Sequence, residues 1–215
     1  FDSLIVFPNV YFDGYNPELF YLKIDGGLAK SPLFDYTLIN ILYSYINDHS
    51  ISQCTELWYP ENDCIGSVKS IVSKNIISES IGELIRRDSG CDISSAPFVK
   101  DNVFKNRIFF TMNHPSASVM NHVVSQLFYK LGLDGYTNQC SDLFSHTLVP
   151  MISSVKSAFG FEDATSFKIN NRNYLPFEIV SKFYEWFSNF TIGQLERGFD
   201  TRINESPLLA KLISS

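Results

Sequence analysis

The stretch Arg107-Ile108-Phe109-Phe110-Thr111-Met112, continued by Asn113-His114-Pro115-Ser116 and then by Val119, Val123, Leu127 and Leu131 at every fourth position, governs the reading of this chain. The short apolar run ending in a polar loop predicts a strand buried on both faces. The four-residue recurrence predicts a helix that stops at Gly132. A strand, a loop and a helix in that order place the chain among α/β folds.

Leu4-Ile5-Val6-Phe7 is a second apolar run, halted by Pro8 and Asn9, and also reads as a buried strand. Leu19 to Ile24 fits a strand or a helical turn, ended by Gly26-Gly27. Leu38, Ile39, Leu42, Tyr43 and Ile46 have helical spacing with Asp35 available as N-cap. Ser50 and Gln53 fit a capping box for a helix running through Trp58. Between Cys64 and Arg87 the apolar positions predict two amphipathic helices separated near Ser78, the second capped by Gly90. Phe167 to Tyr174 predicts a strand and Pro176 to Phe187 a helix with Pro in its first turn. Ile192 to Ile213 predicts helix in two pieces, broken before Pro207. Helical patterns outnumber strands, so the expectation is a helix-rich α/β fold with a small, mostly parallel sheet, in one compact domain over residues 1–215.

Composition excludes several classes. With 45% hydrophobic, 15% aromatic and 19% charged residues, the chain is too apolar for a disordered tail or a coiled coil. Seventeen Lys and Arg against 23 Asp and Glu give a net charge of −6 without a basic cluster, which argues against nucleic acid as partner. Cys54, Cys64, Cys91 and Cys140 form no C-x-x-C pair and no zinc spacing, so no metal is expected. Their wide spacing favours reduced thiols, with two disulfides as the alternative. No apolar run approaches the roughly 20 residues of a transmembrane helix and no signal peptide opens the chain, so a cytoplasmic protein is expected.

In open α/β sheets, loops at the carboxyl ends of strands line the ligand crevice. The first such loop carries Asn9, Tyr11, Asp13, Gly14, Tyr15 and Asn16, either a ligand-binding set or an Asx-rich turn satisfying its own backbone. The second places Asn113, His114 and Ser116 at the start of a helix, whose free N–H groups favour a phosphate or an oxyanion. There His114 can act as general base and Asn113 as oxyanion donor. The alternative is that both merely cap the helix. His122 flanks the Val119 and Val123 stripe of the predicted helix, and His49 and His146 have no evident partner in the sequence. Arg86, Arg87, Lys100, Lys105 and Arg107 are either phosphate contacts or solvated helix ends, and the aromatic run Phe177 to Phe190 is read as core. No nucleophile elbow, P-loop, H-E-x-x-H or G-x-G-x-x-G occurs.

The segments Phe7-Pro8-Asn9-Val10-Tyr11-Phe12-Asp13-Gly14-Tyr15-Asn16-Pro17 and Phe109-Phe110-Thr111-Met112-Asn113-His114-Pro115 resemble the WcbI family of polysaccharide biosynthesis proteins. The resemblance spans Leu4 to Leu133, with a weaker echo in Tyr174 to Phe187. It implies a bacterial, capsule-associated O-acetyltransferase that moves an acetyl group from acetyl-coenzyme A to a sugar hydroxyl of a surface polysaccharide. Asn9, Tyr11, Asp13, Gly14, Tyr15 and Ser116 would then line the coenzyme A site, with Asn113 and His114 at its catalytic end. A glycan or sugar nucleotide would be the acceptor. The family's Gly-Asn-Cys-Gln element is missing from this chain, and Asn16 stands where a His is common.

Two mechanisms stay open: His114 activating a Cys supplied from upstream, or His114 deprotonating the sugar hydroxyl for direct attack on the thioester. The chain opens on Phe1 and an apolar run, which leads to the expectation that it is the later portion of a larger enzyme lacking its first strand unit. A non-catalytic module binding a nucleotide or sugar is the alternative, supported by the missing nucleophile. A third reading is an interaction domain that uses the aromatic C-terminal helix.

Overall fold

The computed structural model describes residues 4–59, 67–133 and 141–214. The chain first forms β1 (Leu19–Phe20), β2 (Lys23–Ile24), β3 (Gly27–Leu28) and β4 (Thr37–Leu38). Four helices follow: α1 (Ile39–Ile46), α2 (Ile51–Trp58), α3 (Ser67–Asp88) and α4 (Ala96–Asn102). Then come β5 (Phe109–Thr111), β6 (His114–Pro115), α5 (Ala117–Lys130) and α6 (Ser153–Phe159). The C-terminal segment holds β7 (Phe167–Ile169), β8 (Arg172–Tyr174), α7 (Pro176–Phe187), α8 (Ile192–Glu205) and α9 (Pro207–Ser214).

The fold is helix-rich, as the periodicity predicts, but its strands are shorter and paired differently. Among the described residues β1 pairs with β4, β2 with β3, β5 with β6 and β7 with β8, each pair antiparallel. The expected parallel pairing is therefore not what these strands adopt. Three pairs join strands close in sequence, where a tight turn suffices. In β2–β3 the turn is Asp25-Gly26, both at positive φ, and in β7–β8 it is Asn170-Asn171, again both at positive φ. These are the residue types that tolerate left-handed backbone in two-residue hairpins. The single strand expected over Phe167 to Tyr174 is thus a hairpin.

Leu4 to Phe7 is not a strand. Leu4 is 85% exposed and Phe7 64%, and among the described residues the backbone of Val6 bonds to Asp92 and Ile93, neither of them in a strand. Asp35 does not cap α1, because Thr37 and Leu38 are drawn into pairing with β1 and the helix starts after them. Instead Asp35 faces Lys30 at 3.2 Å. Nor does Ser78 separate a pair of helices. Its hydroxyl bonds back to the Lys74 carbonyl at 3.0 Å, so α3 runs through it and ends at Asp88, before Gly90.

Local signals elsewhere act as read. The Ser50 hydroxyl accepts from the Gln53 amide and the Gln53 side chain accepts from the Ser50 amide at 2.8 Å. Pro176 opens α7, and Glu178 accepts from the Leu175 amide at 2.8 Å. Phe183 and Phe187 of α7 are fully buried and Tyr184, Trp186 and Phe190 pack against the same cluster, so that part of the aromatic run is core, whereas Phe177 is 52% exposed. One hydrophobic cluster runs from Phe12 and Tyr15 through Phe109 and Phe167 to Phe183 and Phe187 and on to Ile213.

Candidate functional site

The two loops singled out in sequence meet in space. The Phe12 amide donates to the Met112 carbonyl at 2.8 Å, and the Tyr11 hydroxyl lies 3.2 Å from Met112 Sδ, 101 positions away. Arg87 from α3 braces the first loop, its guanidinium 4.9 Å from the centre of the Tyr11 ring and bonded to the Tyr11 carbonyl at 2.6 Å. Burial, then Asp13, raises the Tyr11 phenol above its ordinary range, so it stays protonated.

Beside this junction lies a cavity of about 250 Å³ bounded by Tyr11, Tyr21, Lys23 and Met112 on one side and by α8 on the other. Gly198, Thr201, Arg202 and Glu205 form that wall at spacings of three, four and seven, one face of the helix. Gly198 lets α8 come close, since a Cβ there would lie 2.4 Å from Leu22 Cδ1. A second cavity of about 440 Å³ shares Arg202 and Glu205 and extends to Asp13, Ser80 and Arg86. None of the α8 residues was found from sequence. The only available signal was their common helical face, which resembles any solvated helix face.

The first-loop candidates divide. Tyr11 and Asp13 line cavities, and Asp13 accepts a hydrogen bond from the Ser80 hydroxyl. Asn9 is exposed. Gly14 is buried under the Phe12 ring, where a Cβ would sit 2.3 Å from Cζ. Tyr15 is 1% exposed and donates to the carbonyls of Val103 and Asn106, which makes it a core residue. Asn16 is also buried, donating to Glu18 at 3.1 Å and accepting from Arg107 at 3.0 Å. Burial pushes Glu18 up to about 7.

In the second loop, Asn113 accepts from the Tyr36 hydroxyl and, at 3.3 Å, from Thr111 through the same Oδ1. The amide nitrogen takes part in neither of these bonds. Tyr36 packs on Tyr21, the rim of the smaller cavity, and burial pushes its phenol up to about 12. His114 does not line that cavity. Its ring stacks on Phe144 at 5.2 Å and 17°, with His146 5.8 Å away, and its Nδ1 is buried without a partner. Burial and then His146 lower its pKa, so at neutral pH the imidazole is uncharged.

His114 therefore does not cap α5. That position is taken by Asp142, whose Oδ1 accepts from the Ala117 amide at 2.6 Å. The helix start expected to receive a ligand phosphate already holds a carboxylate of the protein. Ser116 is buried, and its hydroxyl pairs with Ser118 at 2.7 Å. His122 stacks on Phe98 and His49 packs against Tyr43. Arg107, read as a phosphate contact or a solvated residue, is neither, since it lies in a buried ion pair with Asp163.

Cys54 is buried and its thiol is pushed up to about 11 by burial, which disfavours the nucleophilic thiolate. Cys91 is partly buried and donates to the Arg87 carbonyl at 3.7 Å. Both are free thiols; Cys64 and Cys140 lie outside the described residues. Among the described residues no group of three His, Cys, Asp or Glu could hold a metal, and no helix is long and apolar enough to cross a membrane.

Comparison with known proteins bears on this arrangement. Among solved structures, the chain is similar to WcbI, described as a novel polysaccharide biosynthesis enzyme, in a native form without a disulfide bond between coenzyme A and one of its cysteines. The two are 18% identical with a TM-score of 0.76, over 96% of this chain and 69% of that one, and so share the fold. No curated protein matches the chain. The model of the family "Polysaccharide biosynthesis enzyme WcbI" matches residues 2–136, a span that holds both meeting loops, and on that match the chain belongs to the WcbI family of polysaccharide biosynthesis enzymes.

Proposed function

We propose that this protein transfers an acetyl group from acetyl-coenzyme A to a sugar hydroxyl during surface-polysaccharide assembly. The observation that carries the reading is His114: a neutral imidazole with a buried, unpartnered Nδ1, next in sequence to an asparagine whose Oδ1 takes both hydroxyl bonds and whose amide nitrogen takes part in neither. The coenzyme is supported by membership of a family whose solved representative is described with coenzyme A. His114 draws the proton from the acceptor hydroxyl as its oxygen attacks the thioester carbonyl, and Asn113 donates to the oxyanion that forms. Collapse breaks the carbon–sulfur bond, and the proton held by His114 returns to the leaving thiolate. Direct attack is favoured over a covalent route because the described thiols are a buried Cys54 and a backbone-bonded Cys91. Of the coenzyme-contact residues expected from the resemblance, Asp13 reaches the 440 Å³ cavity beside α3 and carries that role in this proposal.

The test combines calorimetry with coenzyme A and a thiol-release assay with acetyl-coenzyme A and a panel of sugars. His114→Ala is expected to keep coenzyme binding and lose acceptor-dependent thiol release by about 100-fold or more, on the order of a general base's contribution. Full activity in that variant sinks the mechanism. Coenzyme binding without thiol release for any sugar would support the non-catalytic binding module instead.

A further inference from the structure

We propose that the 250 Å³ cavity between Tyr11 and α8 binds an acidic sugar unit, its anionic group held between Lys23 and Arg202. The proposal rests on the glycan-acceptor component of the reading above and not on acetyl transfer.

The cavity is smaller than the roughly 300–1,000 Å³ typical of sites for drug-sized ligands, so it suits one sugar ring better than a whole coenzyme. Its walls combine aromatic faces, Tyr11 and Tyr21, with the polar groups Thr201 and Glu205, a mixture that matches a ring with apolar C–H faces and hydroxyl edges. Tyr21 packs on Tyr36 and stays 43% exposed.

The charge of the occupant follows from Arg202. Its Nε is buried and unpartnered; one terminal nitrogen donates to the Pro17 carbonyl at 3.3 Å, and the other is 3.9 Å from Glu205. A buried guanidinium donor left unsatisfied is costly, and a carboxylate or phosphate oxygen would satisfy it. Lys23, on the facing wall, is exposed and has no ion pair among the described residues. Two cations thus face a cavity whose lining holds one carboxylate, that of Glu205. Gly198 sets the gap, because the bare position lets α8 seat on Leu22 and brings Arg202 toward the Lys23 strand.

The experiment titrates the whole chain by calorimetry with glucuronate, glucose 1-phosphate and glucose, repeats the titrations at higher salt, and repeats them with Arg202→Met and Lys23→Met. At least one acidic sugar is expected to bind tenfold or more tightly than glucose, with affinity falling as salt rises. The preferred probe distinguishes a carboxylate from a phosphate. Each variant should cut that affinity at least fivefold. Because Lys23 is exposed, its variant stays informative if Arg202→Met fails to fold. Equal binding of glucose and the acidic sugars, no binding of any of them, or unchanged affinity in the folded Lys23→Met protein overturns the proposal. Loss of coenzyme A binding in both variants, without competition from acidic sugars, also overturns it by assigning the cavity to the coenzyme. Acidic-sugar binding without thiol release would sink acetyl transfer and leave this site standing. Thiol release with no preference for acidic sugars would do the reverse.

Discussion

Arg107 donates from Nη1 to both carboxylate oxygens of Asp163, at 2.5 and 2.6 Å, with the two side chains only 10% and 2% exposed. The remaining guanidinium donors reach Asn16 and the carbonyls of Phe109, Phe110 and Val149, so the pair ties β5 to the first loop and to the chain before α6. Asp163 also accepts from the Met151 amide at 2.6 Å. Asp163→Asn keeps the shape but leaves Arg107 an uncompensated buried charge. The expected loss is about 3–5 kcal/mol in urea unfolding. A loss below about 1 kcal/mol would show that the pair is a surface-like contact.

Asp142 supplies the anion at the start of α5. Asp142→Ala is expected to cost about 1 kcal/mol and to speed hydrogen exchange at the Ala117 amide, with Asp142→Asn intermediate. Unchanged exchange at that amide would remove the capping role.

Glu18 sets a pH dependence of one sign. Its carboxyl titrates near 4.5 when unfolded and near 7 when folded, the burial of an unpartnered Oε2 disfavouring the charge. Between those values the folded chain holds a proton that the unfolded chain has lost. The contribution is therefore complete below pH 4.5 and is lost as pH rises through 7. Glu18→Gln mimics the protonated form and should be more stable than the parent at about pH 8 by up to about 3 kcal/mol, with little difference at about pH 4.5. Urea unfolding of both proteins at those two pH values checks this, and an equal difference at both contradicts it.

His114 works in the opposite direction. Burial and then His146 lower its pKa, so as pH falls below 6.5 the unfolded chain takes the proton first and the contribution of His114 is lost as pH passes through the folded value. His146→Ala removes the second cause. The His114 imidazole resonance should then titrate at higher pH, and the acid limb of the thiol-release profile should move the same way. A titration that does not move would exclude His146 as a cause.

Much of the helical fold is legible because it depends on neighbours in sequence. The Ser50 cap, the start of α7 at Pro176 and the break before Pro207 each satisfy or deny backbone hydrogen bonds within a few residues. The stripe of α5 likewise points to its buried Val119 and Val123. Leu4 to Phe7 misleads for the same reason, since an apolar run is a strand only where a neighbour pairs with it. The candidate site is half legible. Asn113 stands in the turn after β5, but His114 opens β6 instead of the start of α5, Gly14 and Tyr15 belong to the core, and α8 carries no sequence signal that sets it apart.

Residue pattern alone was thus enough for the helix-rich class, the strand β5 and the helix α5 on either side of Asn113-His114, and membership in a family through two short motifs. It could not say which polar groups end up buried together. Arg107 beside Asp163, Asp142 at the start of α5 and Arg202 over an open cavity all depend on segments far apart in the chain, and desolvation acts only once packing has brought them together. That is why the chemistry of the site, unlike the outline of the helices, was decided by tertiary contacts.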